Sequence, residues 1–507
     1  MREPSAYQQA IFDWIRDGRG DGAVDAVAGS GKTTTLVEAT RHLRTSNALF
    51  LAFNKHIVNE LQNRLGGGVT CRTLNGLGHS AIARKLGRER QVRLEPHKYR
   101  DLARQIIESY GHYNAQAQEG AKAVAALIGF AQSSLCELDD EALADLAARY
   151  NVEPVKGVSD GTIYAAVRFA LEQGEQMAHL GIISFDDQIW LPAKWKLRPT
   201  QAEWVLVDEC QDLSAAKLEL ALAARAPGGR MLFVGDKKQS IYGFAGADAD
   251  SWDKIVRRTG ATVLPLSVCY RCSTTVIARA QSIVPHIEAA PGAQVGEVYH
   301  IPEATLTGTV RTGDLVLCRL TAPLIKLCVQ LIARRVPARV KGRDLARALN
   351  KVAADALGRL PYDELPMALE TYFDLKCALL EKRKNSESQI QRLGDQVDGV
   401  RACIDAFPDA RSLAELAECI DSLFSDGESP VELSTVHRAK GLEADRVFII
   451  APEKLPLVWK NQQPWEAEQE TNLKYVAITR ARHSLIFVDT AQAAPAAAKP
   501  EKELALL

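Results

Sequence analysis

A glycine-rich octapeptide near the start of the chain constrains the fold more than any other feature. Residues 26–33 have the sequence AVAGSGKT, after a short apolar run and before the helical pattern TTTLVEATRHL. Gly29 and Gly31 permit a tight turn that points backbone N–H groups at phosphate oxygens, and the N-terminus of the next helix favours negative charge. The usual pattern opens with Gly, and here Ala26 takes that place. The octapeptide predicts an α/β fold with a nucleotide phosphate site.

Two sets of strand-length apolar runs alternate with helical patterns, as they do in parallel α/β units. The first set comprises residues 23–27, 48–53, 69–71, 204–207, 231–234 and 262–266. The second set comprises residues 315–318, 338–340, 431–433, 447–450 and 485–488. We therefore predict two α/β domains, each interrupted by a long segment of helical periodicity.

The same patterns predict where these domains begin and end along the chain. The predicted ranges are 1–85 and 180–268 for the first sheet domain, 86–179 for its helical insertion, 269–340 and 430–490 for the second sheet domain, 341–429 for a short second helical insertion, and 491–507 for a flexible tail. The tail is predicted because its composition is biased towards alanine and proline.

Composition narrows the class of protein. The chain is 47% hydrophobic and 25% charged, which is typical of globular proteins, and its net charge is -1, so a nucleic-acid surface has to be local. The start is polar, and no apolar run approaches the roughly 18–20 residues of a membrane span. We expect a soluble, cytoplasmic protein with no membrane partner.

Cysteine usage agrees with a reducing compartment. The ten cysteines are spread singly apart from Cys269 and Cys272, and these two have no second pair to complete a zinc tetrad. We expect reduced, mostly buried thiols.

A second motif supplies the acidic groups that nucleotide chemistry needs. Residues 205–212 have the sequence VLVDECQD, an apolar strand that ends in two adjacent carboxylates. Lys32 is placed to reach the β- and γ-phosphates, while the Thr33 hydroxyl and Asp208 are candidate Mg²⁺ ligands. Glu209 turns to the other side of the strand end, where it is a candidate base for an attacking water. The predicted cofactors are ATP and Mg²⁺.

Residues 233–247, FVGDKKQSIYGFAGA, resemble the third motif of the superfamily 1 DNA helicases of the UvrD/Rep class. Further motifs of that family follow the expected order: LAFNK at 51–55, TLNGLGH at 73–79, YR at 270–271, TVHRAKGLE at 435–443 and YVAITRAR at 475–482. The resemblance implies two RecA-like domains that clamp ATP between them and bind single-stranded DNA across their top. The second insertion is short for the family.

The resemblance also implies roles for individual residues at the ATP site. The implied ATP-binding residues are Gln8, Gly29, Ser30, Gly31, Lys32, Thr33, Thr34, Tyr270 and Glu443, and the implied catalytic residues are Glu209, Gln239, Arg271 and Arg480. Gln8 would contact the adenine edge, with Gln9 as the alternative, and Tyr270 would stack on the adenine. Arg480 would act as a finger from the second domain on the transition-state charge.

The implied contacts with single-stranded DNA lie on both domains. They are Phe53, Asn54, Lys55, Thr73, Asn75, His79, Tyr242, Phe244, Thr435 and His437. Each aromatic residue is either a base-stacking platform or a buried core side chain. Two positions depart from the family pattern: Ala245 replaces an arginine, and Asn75 stands where the family has a histidine.

Three functions fit these motifs. The first is an ATP-dependent translocase and helicase that moves 3′ to 5′ on single strands and acts at duplex junctions in repair, recombination or replication. The second is a DNA-sensing ATPase subunit of an anti-phage defence complex, with an unknown protein partner. The third is a nucleotide-dependent binding module without motor activity, against which the hydrolytic residues argue.

Overall fold

A computed structural model describes residues 3–52, 55–65, 68–87, 91–150, 152, 154–241, 250–381 and 386–489. Within these ranges the strands are β1 (Gly22–Ala26), β2 (Ala48–Ala52), β3 (Val69–Thr73), β4 (Arg93–Leu94), β5 (Ile182–Ile183), β6 (Ala202–Val207), β7 (Arg225–Gly235), β8 (Thr262–Leu266), β9 (Val268–Cys269), β10 (Glu288–Ala289), β11 (Glu297–Pro302), β12 (Leu315–Cys318), β13 (Ala338–Lys341), β14 (Phe424–Ser425), β15 (Val431–Thr435), β16 (Ala444–Ile450) and β17 (Ala481–Asp489).

The α-helices of the same ranges are α1 (Ala6–Asp17), α2 (Lys32–Ala39), α3 (Lys55–Arg64), α4 (Leu74–Leu86), α5 (Lys98–Ser109), α6 (Ala115–Ser134), α7 (Asp140–Arg149), α8 (Asp160–His179), α9 (Asp187–Lys194), α10 (Ala215–Ala223), α11 (Ser251–Thr259), α12 (Thr274–Ala280), α13 (Glu303–Thr309), α14 (Ala322–Ala333), α15 (Arg343–Leu357), α16 (Leu365–Leu380), α17 (Glu387–Ala406), α18 (Leu413–Leu423) and α19 (Pro464–Ile478).

The first sheet has the strand order β3-β2-β6-β7-β1-β8, and its recorded pairings are all parallel. Its apolar strand residues alternate between two hydrophobic cores. Phe50 packs with α1 and α2 on one face, whereas Leu49 and Leu51 pack with α4 and α10 on the other. This two-residue period is why apolar runs predict strands that are buried on both faces.

The second sheet is also parallel, with the order β11-β17-β16-β12-β15-β13-β14. It contains every predicted strand of the second set and two that the apolar pattern missed, β11 and the two-residue β14. Strand β11 has the sequence EVYHIP and lies at the sheet edge, where several of its side chains are exposed. Edge strands do not need two apolar faces, so β11 carries little apolar signal. The predicted α/β class with two parallel-sheet regions is confirmed.

The helices between β4 and β5 have a core of their own. Apolar side chains of α5, α6, α7 and α8 form one buried cluster that also includes Trp190 and Leu191 of α9. A buried carboxylate ties this cluster together, because Asp187 accepts hydrogen bonds from Lys98, Tyr99 and Gln132 at 2.6, 2.7 and 3.0 Å. Buried charges require such partners.

Helices α15 to α18 are arranged differently. Their apolar side chains share a single cluster with α14 and with one face of the second sheet, including Val316, Leu433 and Phe448. These helices therefore act as a layer on the second sheet. The predicted domain boundaries stay a prediction.

Candidate functional site

The carboxyl ends of the first sheet's strands bring together the predicted nucleotide residues. β1 ends at the phosphate loop, β6 ends immediately before Asp208, and β7 ends immediately before Asp236. These three strands are neighbours in the order β6-β7-β1. Parallel strands leave a crevice at this edge, and ligands of α/β proteins bind there.

The phosphate loop has the backbone conformation that the sequence predicts. Gly29 and Gly31 have φ values of 68° and 77°, which side chains with a Cβ rarely adopt. Gly31 is also the N-cap of α2, so the first N–H groups of the helix are free to meet an anion. The Ser30 hydroxyl is buried and has no hydrogen-bond partner within the described structure. An unpartnered hydroxyl beside a helix N-terminus fits a bound phosphate group.

The predicted magnesium ligands lie side by side. The Thr33 hydroxyl donates to Asp208 Oδ2 at 3.0 Å, and the backbone N–H of Glu209 donates to Asp208 Oδ1 at 2.9 Å. Burial, together with the charge of Glu209, raises the pKa of Asp208 to about 6. A hard divalent cation with oxygen ligands would offset this crowding of negative charge, and Mg²⁺ typically takes only one or two protein carboxylates. Across the described ranges, no cluster of three or more His, Cys, Asp or Glu residues forms a metal site.

Lys32 is the cation nearest to these carboxylates. Its Nζ lies 3.9 Å from Glu209 Oε1. Burial opposes the charged form, but Glu209, Asp236 and Asp208 prevail and raise the pKa of Lys32. For Glu209, burial opposes ionisation, yet Lys32 and Lys440 lower its pKa, so the carboxylate is ionised at neutral pH. An ionised carboxylate is what a general base requires.

Gln211 was not predicted as a site residue, although it lies within the acidic motif. Its Nε2 donates to Glu209 Oε2 at 2.5 Å, and its Oε1 accepts from the backbone N–H of Asp236 at 3.1 Å. Asp236 in turn accepts from Gln239 Nε2 at 2.9 Å. Gln211 therefore links the ends of β6 and β7 and orients the predicted base. The sequence signal was its position two residues after Glu209.

The phosphate loop also contacts the second half of the chain. The backbone N–H of Ala28 donates to the buried Tyr475 hydroxyl at 2.9 Å, and the carbonyl of Gly29 accepts from the N–H of Tyr270 at 2.9 Å. A Cβ on Gly29 would lie 2.7 Å from Arg271 Cβ, which is too close for any side chain. Glycine is therefore required here by both φ and space.

The two predicted catalytic arginines are Arg271, which lies against this loop, and Arg480. Arg271 pairs with Glu443 and donates to the Thr479 carbonyl at 3.3 Å. Arg480 is 1% exposed, and it donates to the carbonyls of Val476 and Leu442 at 3.1 and 3.0 Å. Burial, with the neighbouring Arg271, lowers the pKa of Arg480 to about 10, so it stays charged. Two guanidinium groups thus converge near the loop.

Glu443 lies between two arginines. Besides Arg271, it accepts from Arg482 Nη2 at 2.6 Å. Burial opposes ionisation, but these partners lower the pKa of Glu443. The predicted contact of Glu443 with a ribose stays a prediction.

A buried ion pair joins the acidic motif to the second sheet's side of the cleft. Lys440 Nζ lies 2.6 Å from Asp212 Oδ2 and donates to the Gln239 carbonyl at 2.9 Å. Nearby, Asn472 Nδ2 donates to the Ser240 carbonyl at 3.1 Å. Neither Lys440 nor Asn472 was predicted as a site residue. The predicted water-positioning Gln239 is therefore held from both sides of the cleft.

Gln8 and Gln9 differ clearly in the structure. Gln8 Nε2 donates to Thr35 Oγ1 of α2 at 2.9 Å, whereas Gln9 Nε2 donates along its own helix to Asp13 at 2.9 Å. The geometry favours Gln8 as the residue next to the nucleotide site. The exposed Thr34 accepts from Arg64 at 3.3 Å.

The predicted DNA-contacting residues of the first half lie at the ends of β2 and β3. Thr73 caps α4 by accepting from the N–H of Gly76 at 3.0 Å, and Lys55 is exposed at the start of α3. Asn75 and His79 share one partner, Gln188, at 3.0 and 3.2 Å. Gln188 therefore orients both side chains.

An exposed aromatic residue stands beside this group and was not predicted. Phe185 is 51% exposed, and its carbonyl accepts from Asn75 Nδ2 at 3.0 Å. The only sequence signal was an aromatic residue just before a helix, because its position beside Asn75 depends on a contact 110 residues away.

The predicted residues of the second half lie where β15 ends. Thr435 is 8% exposed and is the last residue of the strand. Burial, reinforced by Arg319, Arg392 and Arg438, lowers the pKa of His437 well below its usual value. The imidazole is therefore neutral at physiological pH, and two of these arginines are themselves paired, Arg319 with Glu470 and Arg438 with Asp344. Phe53, Asn54, Tyr242 and Phe244 lie outside the described residues, as does Ala245.

No helix of the described ranges is both long and apolar enough to cross a bilayer.

The UvrD/REP helicase N-terminal domain model matches residues 8–258, and the UvrD-like helicase C-terminal domain model matches residues 344–492.

Curated relatives are similar over most of the chain. F-box DNA helicase protein 1 of Schizosaccharomyces pombe is 24% identical over 501 residues, which cover 92% of this chain and 55% of that protein. ATP-dependent DNA helicase UvrD2 of Mycobacterium tuberculosis is 24% identical over 541 residues, covering 92% of this chain and 76% of that protein. DNA helicase II of Haemophilus influenzae is 33% identical over 158 residues, covering 28% of this chain and 21% of that protein.

The chain spans little more than half the length of the S. pombe relative. The two family models match in the expected order along the chain. The N-terminal model covers the phosphate loop and the acidic motif, and the C-terminal model covers Tyr475 and Arg480. The chain belongs to the UvrD/Rep family of superfamily 1 helicases, a family of ATP-hydrolysing DNA helicases.

The bond between Tyr475 and the phosphate loop generates a prediction. Tyr475→Phe removes only the hydroxyl and leaves the buried Ala28 N–H without a partner, which should lower the free energy of unfolding by about 1–3 kcal/mol. Urea unfolding followed by circular dichroism measures the change. Tyr299→Phe, at an exposed tyrosine, is the control. Equal unfolding midpoints for the two variants would contradict the prediction.

Proposed function

We propose that this chain hydrolyses ATP and couples hydrolysis to 3′ to 5′ movement along single-stranded DNA, separating duplexes at junctions. One observation supports this most: at the end of the phosphate loop Lys32 lies 3.9 Å from Glu209, and Asp208 accepts from the Thr33 hydroxyl at 3.0 Å and from the Glu209 N–H at 2.9 Å. Binding alone does not need an ionised carboxylate at this place. The proposed setting is DNA repair, recombination or replication in the cytoplasm.

The proposed chemistry divides the work among these residues. The loop backbone and Lys32 bind the phosphates, and Gln211 orients Glu209 as the base that takes a proton from water. Gln239 positions that water. Thr33 and Asp208 would hold Mg²⁺, which supplies charge neutralisation on the phosphate oxygens when it is bound.

The remaining proposed roles involve the nucleoside and the opposing side of the cleft. Tyr270 stacks on the adenine, Gln8 contacts its edge, and Glu443 binds the ribose. Arg271 and Arg480 stabilise the charge that develops on the γ-phosphate. Because Tyr475 and Arg480 belong to one helix and its following turn, movement of that helix shifts both the phosphate loop and the arginine.

Coupling to DNA has a structural basis in the shared sheet edge. Thr73 lies at the end of β3, and Asp208 follows β6, so DNA and nucleotide groups border the same row of strand ends. We include Phe185 among the proposed DNA-contacting residues, since an exposed aromatic beside Asn75 and His79 is a sequence-tolerant stacking platform.

Loss of the base and loss of the phosphate lysine should have different effects. Glu209→Gln should abolish DNA-stimulated ATP hydrolysis while nucleotide remains bound, because the phosphate and Mg²⁺ contacts survive. Lys32→Ala should instead weaken nucleotide binding. Steady-state ATPase assays and binding of a fluorescent ATP analogue separate the two. Wild-type turnover by Glu209→Gln in the presence of DNA would exclude the assigned role.

Arg480→Ala should reduce turnover more than affinity. A finger acts on transition-state charge, and its loss costs about 10³-fold or more in kcat. Nucleotide affinity and kcat are measured separately, with Arg258→Ala, an exposed arginine paired with Glu219, as the control. Because Arg480 also bonds two backbone carbonyls, equal losses of affinity and kcat would assign it a structural role instead.

Translocation and its direction are testable on single strands of increasing length. With a dye at either end, stopped-flow traces should show arrival at the 5′ end after a length-dependent delay. Arrival only at the 3′ end would refute the polarity. No length dependence at either end would favour the DNA-sensing ATPase of a defence complex.

Phe185→Ala should weaken binding to single strands, since base–aromatic stacking contributes about 1–3 kcal/mol per base. Phe169→Ala, at an exposed phenylalanine on α8, is the matched control. Fluorescence anisotropy with a labelled oligonucleotide measures both, and equal affinities would remove Phe185 from the proposed groove.

A further inference from the structure

Two cysteines flank the predicted adenine-stacking tyrosine and γ-phosphate arginine. The sequence Cys269-Tyr270-Arg271-Cys272 forms the turn between β9 and α12. Both cysteines are buried, at 0% and 3% exposure. A C-x-x-C spacing places two thiols at the ends of one short turn, where a disulfide can close.

The two cysteines already interact. The backbone N–H of Cys272 donates to Cys269 Sγ at 3.5 Å. The side chain and the backbone N–H of Cys272 outweigh burial and, helped by the backbone N–H and charge of Arg271, lower the pKa of Cys269. The neighbouring Cys269 side chain and burial raise the pKa of Cys272 well above its usual value. One thiolate beside one thiol is the arrangement of a reactive dithiol.

Both sulfurs also touch the nucleotide site. Cys269 Sγ lies 2.9 Å from where a Cβ of Gly29 would stand in the phosphate loop. Cys272 Sγ donates to the carbonyl of Thr479 at 3.7 Å, and Arg271 Nη1 donates to the same carbonyl at 3.3 Å. Thr479 immediately precedes Arg480, so the pair bridges the loop and the predicted finger.

A cavity reaches this turn at Cys272. Cys272, together with Tyr270, Arg271 and Arg482, lines a cavity of about 790 Å³, and the Cys272 backbone nitrogen lies 3.5 Å from Cys269 Sγ, so an oxidant in the cavity approaches Cys269 past Cys272. Among the described residues this cavity has the charged and polar lining that admits water and hydrogen peroxide.

We propose that Cys269 and Cys272 are a reversible oxidation site, and that the disulfide formed between them by hydrogen peroxide slows nucleotide turnover. This inference rests on the proposed ATPase function for its consequence, but not for the chemistry of the pair. The oxidant is a peroxide, and the reductant that restores the dithiol is a second thiol.

The reaction balances in two steps. The Cys269 thiolate attacks one peroxide oxygen, the O–O bond breaks, and the departing hydroxide takes a proton from solvent, leaving a sulfenic acid on Cys269. The Cys272 sulfur then attacks Cys269 Sγ, the S–O bond breaks, and the thiol proton of Cys272 leaves with the hydroxide as water. One peroxide is reduced to two waters while two thiols become one disulfide.

The disulfide would act on the residues that it encloses. Tyr270 and Arg271 lie inside the closed ring, and Tyr270 N–H is bonded to the Gly29 carbonyl. Drawing the sulfurs into a covalent bond moves Cys269 relative to Gly29 and Cys272 relative to the Thr479 carbonyl. The positions of the phosphate loop, the stacking tyrosine and the arginine therefore change together.

The test uses the full-length, reduced protein before and after brief hydrogen peroxide treatment. Tryptic cleavage at Arg271 leaves Cys269 in the peptide 259–271 and Cys272 in the peptide 272–279, each with no other cysteine. We expect a disulfide-linked peptide pair and a DNA-stimulated kcat lowered by about tenfold to a hundredfold, the cost of a slightly misplaced reacting group. Dithiothreitol should restore the activity.

The variants distinguish this site from general oxidative damage. Cys272→Ser keeps a donor for the Thr479 carbonyl but cannot form the disulfide, so its activity should survive the same treatment. Cys136→Ser changes a more accessible cysteine in the first helical insertion, so it should stay as sensitive as the wild type. Loss of activity without the linked peptides, linkage without loss of activity, or equal sensitivity of Cys272→Ser would each overturn the proposal.

A second readout separates this inference from the proposed function. Binding of a fluorescent ADP analogue should weaken in the oxidised wild type and recover on reduction. If the reduced protein shows no DNA-stimulated ATPase, the proposed function fails. Peptide linkage and reversible loss of analogue binding would then support the oxidation site, and their absence would overturn it.

Discussion

The phosphate loop is the constraint on which the rest of the site depends, because one short turn belongs to two packed bodies. Its strand lies in the first sheet, yet Val27 and Ala28 are buried in a hydrophobic cluster with helices and strands of the second. The Ala28 N–H is bonded to Tyr475, and Gly29 leaves no space for a side chain against Arg271. A change in how the sheets pack therefore changes the loop, which is the physical condition for coupling a nucleotide to motion.

Charge balance is the second constraint at this cleft. Asp208, Glu209 and Asp236 crowd around Lys32, and burial raises the pKa values of Asp208 and Asp236 to about 6. Such groups are costly to bury unless cations approach them. Lys440 supplies one from the opposite side through Asp212, and the second half of the chain is thereby drawn onto the acidic strand end. The acidic residues at the end of β6 therefore belong both to the contact between the two halves of the chain and to the proposed nucleotide site.

The helical additions differ in what they contribute. Helices α5 to α8 have their own core, and Lys98, Tyr99 and Gln132 of these helices hold Asp187 at the start of α9, from which Gln188 reaches Asn75 and His79. Packing among these helices thus orients side chains at the first sheet's edge. The helices α15 to α18 instead complete the core of the second sheet, and Arg392 of α17 adds positive charge near His437.

The sequence alone determined the class of fold, the phosphate loop and the acidic strand end, because each depends on local chemistry. Strands buried on both faces are continuous apolar runs, and a loop with two positive φ angles needs glycines. Strand β11 was not predicted, because an exposed edge strand does not need a continuous apolar run. Only the tertiary structure decided which groups meet: Gln8 rather than Gln9 at α2, Tyr475 on Ala28, and Phe185 beside Asn75. These contacts join residues 27, 447 and 110 positions apart, and one sequence carries no local signal for a pairing that is set by how distant elements pack.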